Sequence, residues 1–226
     1  EDDVAADKVL IGSPQRYEVD NHAFRLVTPL QDNLGLTVDG SYETMSGASP
    51  YGVVEIEPGK PQLIMTGASI DDKRSDVSAT VRHYRDDGSI AFTLGYSGEK
   101  DYNAYNGSVE AEQQSADRLT TWSGGIGYSS DELEPEQTNG VNRPTAEDKS
   151  ALNGFVAIAR VLNGAWQVQG SVFTGLLDGY LSDAYKARDI RPDERQLYGI
   201  TARSRYFVKA LNAAAHTDYR YYSDDW

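Results

Sequence analysis

Between residues 88 and 128 the chain alternates apolar and polar side chains with a period of two. Ile90, Phe92, Leu94 and Tyr96 fall on one face, and Ser89, Ala91, Thr93, Gly95 and Ser97 on the other. Two more runs repeat the pattern. Tyr105, Gly107, Val109 and Ala111 oppose Asn106, Ser108, Glu110 and Glu112, and Trp122, Gly124, Ile126 and Tyr128 oppose Thr121, Ser123, Gly125, Gly127 and Ser129. Side chains that change face at every residue belong to a strand, not to a helix of period 3.6. A soluble sandwich hides such an apolar face in its core. A membrane barrel turns it to lipid and lines a lumen with the polar face. The alternation is the same in both cases, so the rest of the chain has to separate them.

The same reading places strands at residues 18–30, 34–44, 75–84, 150–162, from 166 onward, 198–208 and 213–222, about ten in all, with a short extended stretch at 9–11. The turn signals are Pro29 to Asn33, Asp86-Asp87-Gly88, Ser115-Ala116-Asp117, Asn163-Gly164 and Leu211-Asn212. Residues 45–73, 130–148 and 178–194 read as long polar loops, and 98–102 as a connection of intermediate length. Short turns at one end and long loops at the other characterise an up-and-down barrel of the outer-membrane type, whereas a Greek-key sandwich mixes them. The expected fold is therefore all-β, an antiparallel up-and-down transmembrane β-barrel, with residues 1–226 forming one domain. The first connection is short where a complete barrel has a long outer loop. This predicts a missing strand before residue 18 and a chain that is an internal piece of a larger barrel.

Composition narrows the picture. The 226 residues carry a net charge of −14, which argues against nucleic acid as a partner, since phosphate binding needs a basic surface. There is no cysteine, so thiol catalysis, disulfides and cysteine metal sites are excluded. No apolar run reaches the roughly 18 residues of a membrane-spanning helix, but barrel strands need only about 9–11. A hydrophobic content of 39% is low for a large core, and 15 tyrosines with 21 glycines suit a barrel with interfacial aromatics.

Ordered motifs add a family likeness. Tyr17-Glu18, Phe24-Arg25-Leu26, the run from Tyr42 through Met45-Ser46-Gly47-Ala48-Ser49-Pro50, Tyr180-Leu181-Ser182-Asp183-Ala184-Tyr185-Lys186, Arg191-Pro192-Asp193 and Asp218 to Trp226 occur in that sequence. Together they resemble a family of Gram-negative outer-membrane β-barrel proteins of unknown function that carry an M-S-G-A-S-P box. The resemblance implies an integral outer-membrane protein. It implies as partners membrane lipid and, more weakly, a small lipoprotein and flavin- or redox-linked periplasmic proteins. Family members extend past both ends of the chain, which agrees with the turn parity. The resemblance supplies no catalytic residues and no cofactor.

Candidate chemistry sits on the polar faces. Arg25, Arg82, Arg203 and Arg205 stand against Asp39, Glu43, Glu99, Glu110 and Glu112, and His216, Asp218 and Arg220 alternate on one strand face. Charges of both signs lining a lumen would set a selectivity field, or would brace a salt-bridged wall. His216 and Asp218 on one face could form an oriented proton-transfer pair, although a hydrogen-bonded lumen wall is the simpler reading. Asp71-Asp72 and the acids from Asp131 to Glu136 offer hard oxygen ligands for calcium but lack EF-hand spacing, so solvated loops are favoured. Tyr42, Tyr84, Tyr96, Trp122, Tyr128, Trp166, Tyr198, Tyr206, Tyr219 and Tyr221 fit interfacial girdles, with carbohydrate stacking as the rival. No G-x-S-x-G, H-E-x-x-H or phosphate-loop motif is present. The expected function is a non-enzymatic outer-membrane pore, conduit or scaffold. The alternatives are a barrel enzyme acting on lipid or peptide, and a soluble glycan-binding β-sandwich.

Overall fold

A computed structural model describes residues 3–48, 50–65, 70–137, 143–185 and 189–225, apart from the side chains of residues 50, 51, 70 and 71. In chain order the strands are β1 (Val9–Ile11), β2 (Glu18–Gln31), β3 (Leu34–Gly47), β4 (Pro50–Glu57), β5 (Lys60–Met65), β6 (Ile70–Arg85), β7 (Gly88–Gly98), β8 (Tyr102–Gln114), β9 (Thr120–Leu133), β10 (Glu147–Asn163), β11 (Trp166–Gly179), β12 (Glu194–Val208) and β13 (Ala213–Asp224). Three-residue 3-10 turns occupy Ala6–Lys8 and Lys209–Leu211.

The ten strands expected from alternation form one ten-stranded sheet in the order β13-β12-β11-β10-β9-β8-β7-β6-β3-β2. Neighbours from β8 to β13 pair antiparallel along their length. The fold is thus all-β and antiparallel. Its first and last strands, β2 and β13, do not pair with each other among the described residues, so the sheet is open where a barrel was expected to close. The short turns hold. Asn163 anchors the β10–β11 turn through its side chain, whose Oδ1 accepts from Ala165 N–H at 2.9 Å, an Asx turn.

Residues 45–73, read from sequence as a loop, are largely strand. β4 and β5 form a hairpin around Pro58-Gly59, Gly59 taking the left-handed φ of +76° that the turn requires. With β1 they make a separate three-stranded sheet, β1-β5-β4, in which β1 runs parallel to β5. Register shifts flank Glu55 to Glu57 and Pro50 to Gly52. Such bulges break the period of two, which is why alternation did not reveal these strands.

Contacts gather the chain into two compact units, one of residues 1–24, 39–77 and 97–100, the other of residues 25–38, 78–96 and 101–226. The first unit contains the three-stranded sheet. There Ala48 and Met65 are buried. Residues 15–17 run alongside the end of β3: Arg16 bridges Ala48 in parallel, and Ala48 N–H donates to the Gln15 carbonyl at 3.0 Å. Gly47, at φ +94°, lies directly on the Arg16 carbonyl with no room for a Cβ. The Met-Ser-Gly-Ala part of the box is therefore a close backbone crossing; Ser49 lies outside the described residues.

On β7 of the second unit burial is inverted relative to a soluble protein. On β7, Ile90, Phe92 and Leu94 are 42%, 49% and 57% exposed, whereas Ser89 and Ala91 are 7% and 3% exposed. Across β8 to β13, Val109, Ile126, Val156, Val172, Ile200 and Tyr221 are exposed on one face, and β13 is exposed on both faces over most of its length. Among the described residues of the whole chain, the buried hydrophobic side chains are Ala48, Met65, Ala91 and Ala157. Burying a large apolar face against itself is what stabilises an ordinary globular domain; here the large apolar side chains of that face are left exposed.

Candidate functional site

The register fixes what the polar face of the second unit displays, because side chains opposite one another in an antiparallel pair share a face. Counting from the short-turn end, Arg205 faces His216. The next row across β8 to β13 is Gln114, Thr121, Ala159, Gln169, Arg203 and Asp218. Then come Glu112, Ser123, Ala157, Ser171, Thr201 and Arg220, followed by Glu110, Gly125, Phe155, Phe173, Gly199 and Tyr222.

The sequence-derived residues are partly brought together. Arg203 Nε lies 2.8 Å from Asp218 Oδ1, both side chains more than half exposed. Asp218 is thereby engaged across the strand pair, in place of the imidazole of His216 two residues away. A shallow hollow is shared by Arg203, Arg205, His216, Asp218, Gln167 and Gln169. Arg82 donates to Ser89 Oγ at 2.9 Å, and beside it the hydroxyls of Thr80 and Thr93 meet at 2.8 Å. Arg25 is exposed on β2. Asp39, Glu43 and Glu99 belong to the first unit. There Glu43 accepts from Asn21 Nδ2 at 3.1 Å, and Glu99 lies 3.6 Å from Arg74 Nε. Glu110 and Glu112 stand on β8 opposite Gly125 and Ser123.

A second polar cluster occupies the loop end of the same face. The Tyr102 hydroxyl donates to Asp131 Oδ2, and Lys149 Nζ lies 3.6 Å from that oxygen and 4.9 Å from the centre of the Tyr102 ring. Arg195 donates to Asp224 Oδ2 at 2.5 Å and to Tyr222 Oη at 3.1 Å, while Tyr222 donates to the same Asp224 oxygen at 2.8 Å. Asp131, Lys149 and Arg195 share a hollow of about 280 Å³ with Tyr180, Ser182 and Arg191 of the β11–β12 connection. Burial, then the carboxylates of Glu147, Asp183 and Asp189, push the Tyr180 phenol above its usual pKa. Asp189 is held below the usual carboxylate range by the Asp183 N–H, which donates at 2.6 Å, and by Arg191, 3.0 Å away.

A family model described as "Protein of unknown function (DUF3570)" matches residues 12–226. The chain belongs to the DUF3570 family. No curated protein matches it.

The loop-end cluster of this DUF3570 chain was not found from sequence, because its strands run further than alternation shows. β9 continues to Leu133, β12 begins at Glu194 and β13 reaches Asp224. Extending the established parity two residues at a time places Asp131 with Ser129, and Arg195 with Leu197. That signal was available, but a charged strand end is polar on both faces and resembles a loop. The stretches read as calcium ligands are divided: Asp131 is committed to Tyr102 and Lys149, and the Asp71 side chain, with Lys186 and Trp226 of the resembling motifs, lies outside the described residues.

The polar face also holds an apolar strip. Phe155 lies over Gly125 and Phe173 over Gly199, each ring occupying the space a Cβ would need. Aromatic side chains covering a neighbouring glycine are a recognised way to pin strand register.

Proposed function

We propose that this DUF3570 protein is an integral outer-membrane β-barrel of a Gram-negative bacterium. In this reading the polar face lines an enclosed interior, and the protein serves as a pore or conduit, or as a scaffold for periplasmic partners, without catalysis. The observation that carries it is the inverted burial on β7, apolar outside and Ser89, Ala91 and Ser97 inside. In water such a surface would cost about 25 cal/mol for every Å² of apolar area left exposed; in a bilayer it is the required one.

The aromatics support the same reading. Trp122 and Tyr128 on β9 are six residues apart, about 20 Å along the strand, and Tyr198 and Tyr206 on β12 are eight apart, about 27 Å. On the same face between them lie Gly124 and Ile126 on β9, and Ile200, Ala202 and Ser204 on β12. An apolar band about 25 Å tall between two aromatic girdles has these dimensions. Lipid is then the first partner. A small lipoprotein and redox-linked periplasmic proteins are proposed further partners of the scaffold form.

Extraction tests the proposal. Washing membranes with alkaline carbonate should leave the protein in the pellet, and only detergent should release it. Release by carbonate alone would end the membrane reading and favour a soluble β-protein. Planar-bilayer recording then separates the two forms. Steps of conductance support a pore, and a silent but inserted protein leaves the scaffold.

A further inference from the structure

Tyr185 joins three connections at the loop end of the second unit. Its hydroxyl meets Asp101, in the β7–β8 connection, as a hydrogen-bond donor to Oδ2. The Tyr185 hydroxyl oxygen in turn accepts from Glu136 N–H, in the β9–β10 connection, at 3.1 Å. Arg143, further along that connection, sets its guanidinium 4.6 Å from the centre of the Tyr185 ring and donates to the Glu136 carbonyl at 2.5 Å. Tyr185 itself belongs to the β11–β12 connection. Its own segment is clasped internally: Asp183 N–H donates to Asp189 Oδ2, Tyr185 N–H to Asp183 Oδ1 at 2.9 Å, and Arg191 N–H to Ser182 Oγ at 3.0 Å.

This segment also reaches the polar face. Tyr180, Ser182 and Arg191 line one hollow with Asp131, Lys149 and Arg195, whose side chains come from the strands. A connection free in solvent would share no hollow with inward-facing strand residues.

We propose that residues 180–185 and 189–193 form an inward strap across the loop end of the polar face, and that Tyr185 is the latch that holds it there. The strap contributes Arg191 and Ser182 to the charged rim made by Lys149, Asp131 and Arg195, so it narrows and charges the interior at that end. The role as a constriction rests on the barrel reading above, whereas the latch itself is a property of the fold. The bonds to Tyr185 are few and lie at the surface, so the strap is held by less than a strand ladder and can be released locally.

The test is amide hydrogen exchange on the full chain in detergent micelles, wild type against Tyr185→Phe and Asp101→Ala. Tyr185→Phe keeps the ring under Arg143 and removes only the hydroxyl. Exchange at Glu136, Asp183, Tyr185 and Arg191 should rise by about tenfold in both variants, the scale of one lost hydrogen bond to a charged group. Amides in the β10–β11 ladder should not change. Unchanged exchange at those four positions would overturn the latch. So would a rise spread over all strands, because the hydroxyl would then support the whole fold and not a strap. Bilayer recording adds a separate arm. Larger conductance in Tyr185→Phe supports the constriction, and the same conductance with a released strap overturns it. A wild type without any conductance removes the pore reading and the constriction together, while the latch is still decided by exchange.

Discussion

Trp166 and Tyr206 face each other across β11 and β12, ring centroids 6.2 Å apart and planes at 88°. The Trp166 Nε1–H is not idle: it donates to Ser204 Oγ at 2.8 Å. An edge-to-face pair that keeps a polar handle satisfied suits a membrane interface, where one side of the ring is oily and the other wet. A double-mutant cycle on Trp166→Leu and Tyr206→Leu, read by unfolding in lipid vesicles, should return a coupling of about 0.5–1.5 kcal/mol. A coupling near zero would mean that the two rings are placed by the strands and not by each other.

The two faces should respond oppositely to charge. Val172 is exposed on the apolar face near mid-strand, and Gln169 points to the polar face beside Arg203. Val172→Arg should destabilise the inserted protein by about 2–4 kcal/mol, the cost of a cation at the bilayer midplane. Gln169→Arg should cost much less, and mainly through repulsion with Arg203. Insertion into vesicles followed by denaturant unfolding measures both. Equal tolerance of the two changes would show that Val172 faces water.

The β8–β9 turn gives a pH prediction. Asp117 Oδ1 accepts from the Ser115 hydroxyl at 2.5 Å and from Leu119 N–H at 3.0 Å, and these bonds lower its pKa from 3.8. A carboxyl depressed in the folded state stabilises the fold above its unfolded pKa and loses that contribution as pH falls through the folded value. Asp117→Asn should therefore loosen the turn at neutral pH, seen as faster amide exchange at Leu119 and Thr120. Once pH has fallen through the folded pKa, which lies below the ordinary 3.8, wild type and variant should converge, since both then carry a neutral side chain. A difference that persists in strong acid would mean that shape and not charge explains the effect.

Gly47 offers a test in the first unit. At φ +94°, with the Arg16 carbonyl against its Cα, it leaves no place for a side chain. Gly47→Ala should cost about 1–3 kcal/mol through backbone strain and displacement of residues 15–17. Limited proteolysis in the 12–17 segment should accelerate, while the register of β8 to β13 is kept. Unchanged cleavage would show that the crossing is not fixed by this glycine.

How far the sequence carries can be argued from these residues. Ile90, Phe92 and Leu94 announce both the strand and the face, because a strand with one apolar and one polar face keeps strict alternation along its length. Val53 and Val54 do not, since neighbouring apolar residues at a bulged hairpin fit no period. Asp131, Arg195 and Asp224 lie past the apolar band, where nothing forces one face to be oily, so the alternation that would reveal them fades. Tyr185 and Asp101 are 84 positions apart, and no local rule connects them. His216 and Asp218 show the opposite fault. Their spacing places them correctly on one face, but the partner of Asp218 is set by the neighbouring strand, and that partner is Arg203.

Arg203 and Arg205 decide what the polar face presents at its short-turn end. The Arg203–Asp218 pair is more than half exposed on both sides, so breaking it should change stability by no more than about 1 kcal/mol. In the proposed pore their effect on a passing ion would be larger, because a charge on a confined wall acts at close range with little water to screen it. Arg203→Glu with Arg205→Glu should move the reversal potential in a salt gradient toward cation preference. The exchange variant, Arg203→Glu with Asp218→Arg, keeps the local sum of charge and should stay near wild type. If both variants shift the potential alike, position and not net charge sets the preference. If neither does, the rows containing Arg203 and Arg205 do not line the conducting path.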